Sequence, residues 1–178
     1  YRVEQNQDDI LKNEDVIAIE SASYKLSLHE YEAAHLKQQQ SWKDLKVETT
    51  QALEALIQIV ARTEGPVHID QVIDRIRISY GLGSVRTTTR QKMLDIISAA
   101  KKKKFVIGDG DFIWSDVDQL DRNPRVAPPS GKIQHIHPGE LRHVIVGKVR
   151  ELLALGRETL VTEVARSLEF QQTGKTIR

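Results

Sequence analysis

Moved along itself by 88 positions, the chain meets a second version of its own apolar pattern. Leu53, Leu56 and Ile57 fall on Leu141, Val144 and Ile145; Val72, Ile73 and Ile76 fall on Leu160, Val161 and Val164; Tyr80, Leu82 and Arg90 fall on Leu168, Phe170 and Arg178. Identities are few, yet apolar residues land on apolar residues at helical spacing through two successive segments. This predicts a small helical unit used twice. The second copy stops at Arg178, where the first begins its most basic stretch, so a truncated second unit within a larger polypeptide is expected.

Length and charge narrow the class. The 178 residues allow one domain or two small ones with an adequate core. Lys and Arg number 26 against 25 Asp and Glu, so the net charge of +1 announces no polyanion binder. Local fields decide such attraction, and here they differ along the chain. Tyr1 to Ala22 carries Glu4, Asp8, Asp9, Glu14, Asp15 and Glu20 against Arg2 and Lys12, whereas Leu82 to Ile107 carries Arg86, Arg90, Lys92 and Lys101 to Lys104 against Asp95. The absence of cysteine excludes disulfides, thiolate metal sites and thiol catalysis, and points to the reducing cytoplasm. No apolar run approaches ~18 residues, so no membrane partner is expected.

The pattern divides the chain into four parts. Residues 1–47 read as an acidic N-terminal arm whose Ser27 to Lys46 portion is helical, with Ser27 and Glu30 as a capping box. Residues 48–121 give the order of a winged helix-turn-helix. Thr49 to Arg62 forms a helix ended by Gly65-Pro66. Val67 to Ile69 forms a short strand, and Asp70 caps a second helix with Val72, Ile73 and Ile76 inward. Tyr80 to Gly83 turns, and a third helix runs from about Ser84 to Lys103 through Met93, Leu94, Ile96, Ile97 and Ala100. Phe105 to Ile107 then faces Phe112 to Trp114 across Gly108 to Asp111, a β-hairpin. Residues 122–137, with Pro124, Pro128, Pro129 and Gly131, read as an extended linker. Residues 138–178 form the second, truncated helix-turn-helix. The fold class is therefore mainly α: a winged helix-turn-helix, a partial second copy and a helical arm.

The stretches EGPVHIDQVIDRIRISYGLGSVRTTTR (Glu64 to Arg90), GDFIW (Gly110 to Trp114) and ETLVTEVARSLEFQQTGKTIR (Glu158 to Arg178) resemble a domain of unknown function. That domain lies near the C-terminal end of very large bacterial proteins related to superfamily 1 DNA helicases, some of which also carry a restriction-endonuclease-like nuclease domain. The resemblance covers about residues 48 to 178, and its most specific parts are Gly65-Pro66-Val67-His68 and Phe170-x-x-Thr173-Gly174. It implies a bacterial, DNA-processing parent polypeptide whose other domains are partners of this one. Val85 and Arg86 in the first copy stand against Thr173 and Gly174 in the second, so the two copies need not meet the same partner. A fold likeness assigns no activity to the segment itself.

The third helix supplies the candidate DNA-contacting residues. Arg86, Thr87, Thr88 and Arg90 lie at its start, where a helix-turn-helix meets a groove, and Thr89 is a further hydroxyl there. Lys101, Lys102, Lys103 and Lys104 close it and lead into the hairpin, as phosphate anchors or as cations complementing the helix dipole. Thr173-Gly174-Lys175-Thr176 is no phosphate loop, because Glu169 stands where the first glycine is needed. His135, His137 and His143 with Glu140 match no closed zinc spacing, and His68 reads as a backbone-bonding residue. Phe105, Ile107 and Trp114 are assigned to the seam under the third helix. No catalytic set, cofactor or metal site is legible. Two functions remain open: a non-catalytic DNA-binding module of a helicase or nuclease machine, or a protein docking or homodimerisation module of the same polypeptide.

Overall fold

The computed structural model describes residues 25–38, 45, 47–120, 124–128, 130–152 and 156–170. The acidic part of the arm and the Thr173 to Thr176 ending lie outside the described residues. Among those described, the architecture is mainly helical with one small antiparallel sheet. None of the described helices is long and apolar enough to cross a membrane.

Helix α1 (Thr50–Glu64) starts where Thr49 Oγ1 accepts the Ala52 N–H, filling a donor the first turn leaves over. Its inner face buries Leu53, Ile57, Val60 and Ala61. Strand β1 (Val67–His68) follows, then α2 (Ile69–Ser79), a turn, and α3 (Thr87–Lys102). Strands β2 (Ile107–Asp109) and β3 (Phe112–Trp114) complete a sheet of order β1-β3-β2. Val67 pairs with Ile113 and Ile107 with Trp114, so β3 is the central strand and is buried on its whole length. The first core joins Leu53, Ile57, Val72, Ile76, Met93, Ile97 and Ile113.

After a 3-10 turn at Ile133–His135, α4 (Pro138–Leu152) and α5 (Arg157–Ser167) pack around a second, smaller core of Ile136, Val144, Val164 and Leu168. Adding 88 to each bound of α1 (50, 64) and α2 (69, 79) gives 138, 152, 157 and 167, the bounds of α4 and α5. The turns after α2 and α5 also coincide. Leu82 donates to Arg77 O at 3.1 Å, and Phe170 donates to Ala165 O at 2.9 Å. Gly81 (φ 66°) and Glu169 (φ 61°) both enter the left-handed region that this helix ending needs.

Several expectations are corrected. The portion of Ser27 to Lys46 that is described is not helical: residues 25–38 run extended, and the Ser27/Glu30 capping box does not form. The reason is tertiary, since His29 exchanges backbone bonds with Pro124 O and Val126 N, both at 3.0 Å, and a helix would forfeit that pairing. His68, not Asp70, caps α2: its Nδ1 accepts the Asp70 N–H at 3.1 Å. α3 begins at Thr87, three residues after the expected Ser84. The hairpin is shifted, with Asp109 opposite Phe112 across Gly110-Asp111; Phe105 is exposed, while Val106 takes the buried place. Trp114 is buried, as assigned.

The segment expected as a linker is packed at two points. Arg125 joins Glu140 by two hydrogen bonds of 2.7 and 3.1 Å, and its NH1 and NH2 donate to Glu64 O (2.7 Å) and Pro66 O (3.0 Å). Glu64 itself is fully buried and takes Arg75 Nε, Tyr31 OH and the Ala34 N–H within 2.9 Å. Burial, then the neighbouring Glu64 charge and hydrogen bond, pushes the Tyr31 phenol far above its usual range. One polar network thus ties residues 25–38, α1, α2 and α4 together.

Candidate nucleic-acid interface

α3 is presented by the α2-turn-α3 angle, and Arg77 NH1 fixes that turn by donating to Leu82 O at 2.6 Å and Gly83 O at 3.1 Å. Buried Met93, Ile96, Ile97 and Ala100 hold one face of α3 against α1, leaving Thr87, Gln91, Asp95 and Lys102 on the outer face. Residues spaced three and four apart line one stripe of a helix.

The eight candidate residues are not equivalent. Arg86 is the N-cap, makes no side-chain cap bond and is exposed, as are Thr87 and Thr88. Thr89 is buried and offers phosphate nothing. Arg90 is exposed but bonded to Asp70 Oδ1 at the start of α2. Although burial pushes the Asp70 carboxyl up, the Arg90 hydrogen bond and charge outweigh it and hold the carboxyl below its usual range.

The four lysines divide in two. Lys101 Nζ donates to Gly110 O at 3.0 Å, and its stem lies so close over Gly108 that a Cβ there would sit 2.3 Å from Lys101 Cε. Burial lowers its pKa against the raising effect of Asp111 and Asp109. It is a strut for the hairpin. Lys103 pairs with Glu54 at 3.3 Å and covers the Phe105 ring at 5.4 Å. Lys102 and Lys104 are exposed and form no ion pair among the described residues. They lie at the far end of a 16-residue helix, ~24 Å from Arg86, so one groove entry cannot engage both ends. The hairpin tip adds Asp109 and Asp111, whose charges oppose phosphate.

Sequence reasoning missed Gln91 and the partners that occupy Arg90, Lys101 and Lys103: the Asp70 carboxylate, the Gly110 carbonyl and the Glu54 carboxylate. Gln91 was legible as an outward position of α3; these partners sit 9 to 49 residues away and carry no local signal. Among the histidines, His135 is buried with Nδ1 2.9 Å from Ser130 Oγ, and His137 sets its ring edge-on to Phe112 and Trp114. His143 is exposed. Compared with known proteins, the chain matches no protein-family model, no curated protein and no solved structure.

Proposed function

We propose that residues 48 to 121 act as a winged helix-turn-helix that binds duplex DNA without catalysis, as a module of a larger helicase- or nuclease-type DNA-processing protein. The observation that carries this reading is the exposed Arg86, in no ion pair among the described residues, beside Thr87 and Thr88 at the N-terminus of α3, with Gln91 one turn further on. That is where a recognition helix meets base edges and phosphates, and a glutamine can bond adenine through two groups. Arg90 joins the contact by leaving Asp70 for phosphate. The footprint is smaller than the sequence suggested, with Lys101 and Lys103 engaged within the protein. Affinity is therefore modest and falls with salt in proportion to those few contacts.

A labelled duplex titrated by fluorescence anisotropy at about 50 mM salt tests this. Binding that weakens with Arg86→Ala and Arg90→Ala supports the reading, and no binding at all overturns it.

A docking role is the second reading, favoured by one feature. Ile145, Val146, Val149 and Leu152 leave an apolar stripe of α4 open to solvent, whereas Ile57 and Ala61, the counterparts of Ile145 and Val149 at the 88-residue shift, are fully buried in α1. Self-association in sedimentation, lost when residues before Ala22 are removed, would favour docking or homodimerisation.

A further inference from the structure

We propose that His68, Asp70 and His135 form a binding site for a divalent transition-metal ion of the zinc type. Their donor atoms lie within 4.8 Å of one another, although two come from the start of α2 and the third from the 3-10 turn before α4. Asp70 Oδ2 stands 3.8 Å from His68 Nδ1 and 3.8 Å from His135 Nε2. Those separations exceed a hydrogen bond. They lie close to the ~3.3 to 3.6 Å that separates neighbouring donors on one tetrahedral zinc ion with ~2.0 to 2.2 Å bonds.

A second observation points to a ligand. The His135 side chain is only 5% exposed and is aimed at Asp70, yet its Nε2 has no hydrogen-bond partner among the described residues. A buried polar atom left in that condition is costly. Ser130 Oγ lies 2.9 Å from the other ring nitrogen, Nδ1. With Nδ1–H donating to Ser130, the Nε2 lone pair faces Asp70, the arrangement by which a bonded partner orients a metal-binding imidazole. Arg90 does the same for Asp70 by holding Oδ1 and leaving Oδ2 turned inward.

The His68 and His135 rings are stacked at 4.5 Å and 26°, and because each lone pair lies in its own ring plane, one ring tilts as both take the same ion. His68 Nδ1 already accepts the Asp70 N–H, and ligation through that atom exchanges the helix-cap bond for the metal. Two imidazoles and one carboxylate suit zinc, nickel, copper or cobalt and disfavour magnesium or calcium. Asp70 is 40% exposed, so water can complete the coordination.

Calorimetric titration of the intact chain with zinc, and absorption titration with cobalt, test the site. One ion per chain is expected. Asp70→Asn and His135→Gln should each weaken binding at least about tenfold, and His143→Ala, at an exposed histidine, should leave it unchanged. Circular dichroism checks that each variant is folded. If the buried His135→Gln is not, Asp70→Asn carries the test with a second measurement, in which zinc shifts the His68 and His135 imidazole resonances and spares that of His143. No uptake at about millimolar zinc overturns the site. So does uptake undiminished in Asp70→Asn, or lost in His143→Ala.

Discussion

Glu64 and Arg75 are joined by two parallel hydrogen bonds, Nε to Oε1 at 2.7 Å and NH2 to Oε2 at 3.1 Å, around a carboxylate with no solvent exposure. Removing one partner strands the other charge in the interior, which costs about 3 to 5 kcal/mol. Arg75→Ala should lower stability by that amount in urea titration. A loss under about 1 kcal/mol would show that water reaches Glu64 and that the network adds little.

Core burial predicts a contrast between two positions. Ile73 is 3% exposed, and Ile73→Ala should cost roughly 2 to 5 kcal/mol, depending on how far the cavity collapses. Lys102, exposed on the outer face of α3, should tolerate alanine with no measurable shift of the denaturation midpoint. Equal effects would mean that the inward face of α2 has been misassigned.

Gly65 is held by space. A Cβ there would lie 2.4 Å from Ala61 O and 2.7 Å from Trp114 Cβ, neither of which can swing away. Gly65→Ala should destabilise by roughly 1 to 3 kcal/mol through overpacking. Gly83, where an added Cβ meets nothing within 4 Å, is the control, and Gly83→Ala should be close to neutral in the same thermal melt.

Alkaline pH should loosen the fold through Tyr31 and Tyr80. Burial, then bonds to Glu64 and Glu48, raises both phenols above the value of an unfolded tyrosine. A raised folded pKa gives stability that is complete below the unfolded value of about 10 and declines as pH rises past it. Tyr80→Phe should shrink that decline. A urea midpoint unchanged between pH 8 and about 11 would contradict the assignment.

Salt dependence measures the DNA footprint. With Arg86 and Arg90 meeting about two phosphates, log K against log salt should slope about −2, and Arg86→Ala should reduce the slope by about 1. A slope unchanged by that variant would remove Arg86 from the interface.

Local patterning made the units around α1, α2, α3 and the hairpin legible. Apolar spacing marked the buried faces, Gly65-Pro66 marked the end of α1, and Gly108 to Asp111 marked a hairpin turn that the structure narrows to Gly110-Asp111. What sequence could not show was pairing across distance. Ser27 and Glu30 satisfy a helix-capping pattern, yet the backbone of His29 bonds residues 124 and 126. His135 was read beside His137 and His143, its neighbours in sequence, while its partner in space is His68. The run Lys101 to Lys104 was read as phosphate anchors or as cations complementing the helix dipole, whereas Glu54 and the carbonyl of Gly110 engage half of it.

The polar network around Glu64 carries a consequence for the order of assembly. Arg75 reaches Glu64 from 11 residues away, so this pair can close while α1 and α2 dock. Tyr31 arrives across 33 residues and Arg125 across 61, and such long loops lose more chain entropy before any contact rewards them. By loop length alone, the arm and the proline-rich segment reach Glu64 after Arg75 does. Until they do, the Glu64 carboxylate lacks the Tyr31 hydroxyl and the Ala34 N–H that complete its hydrogen bonding, so the arm is what makes its burial tolerable.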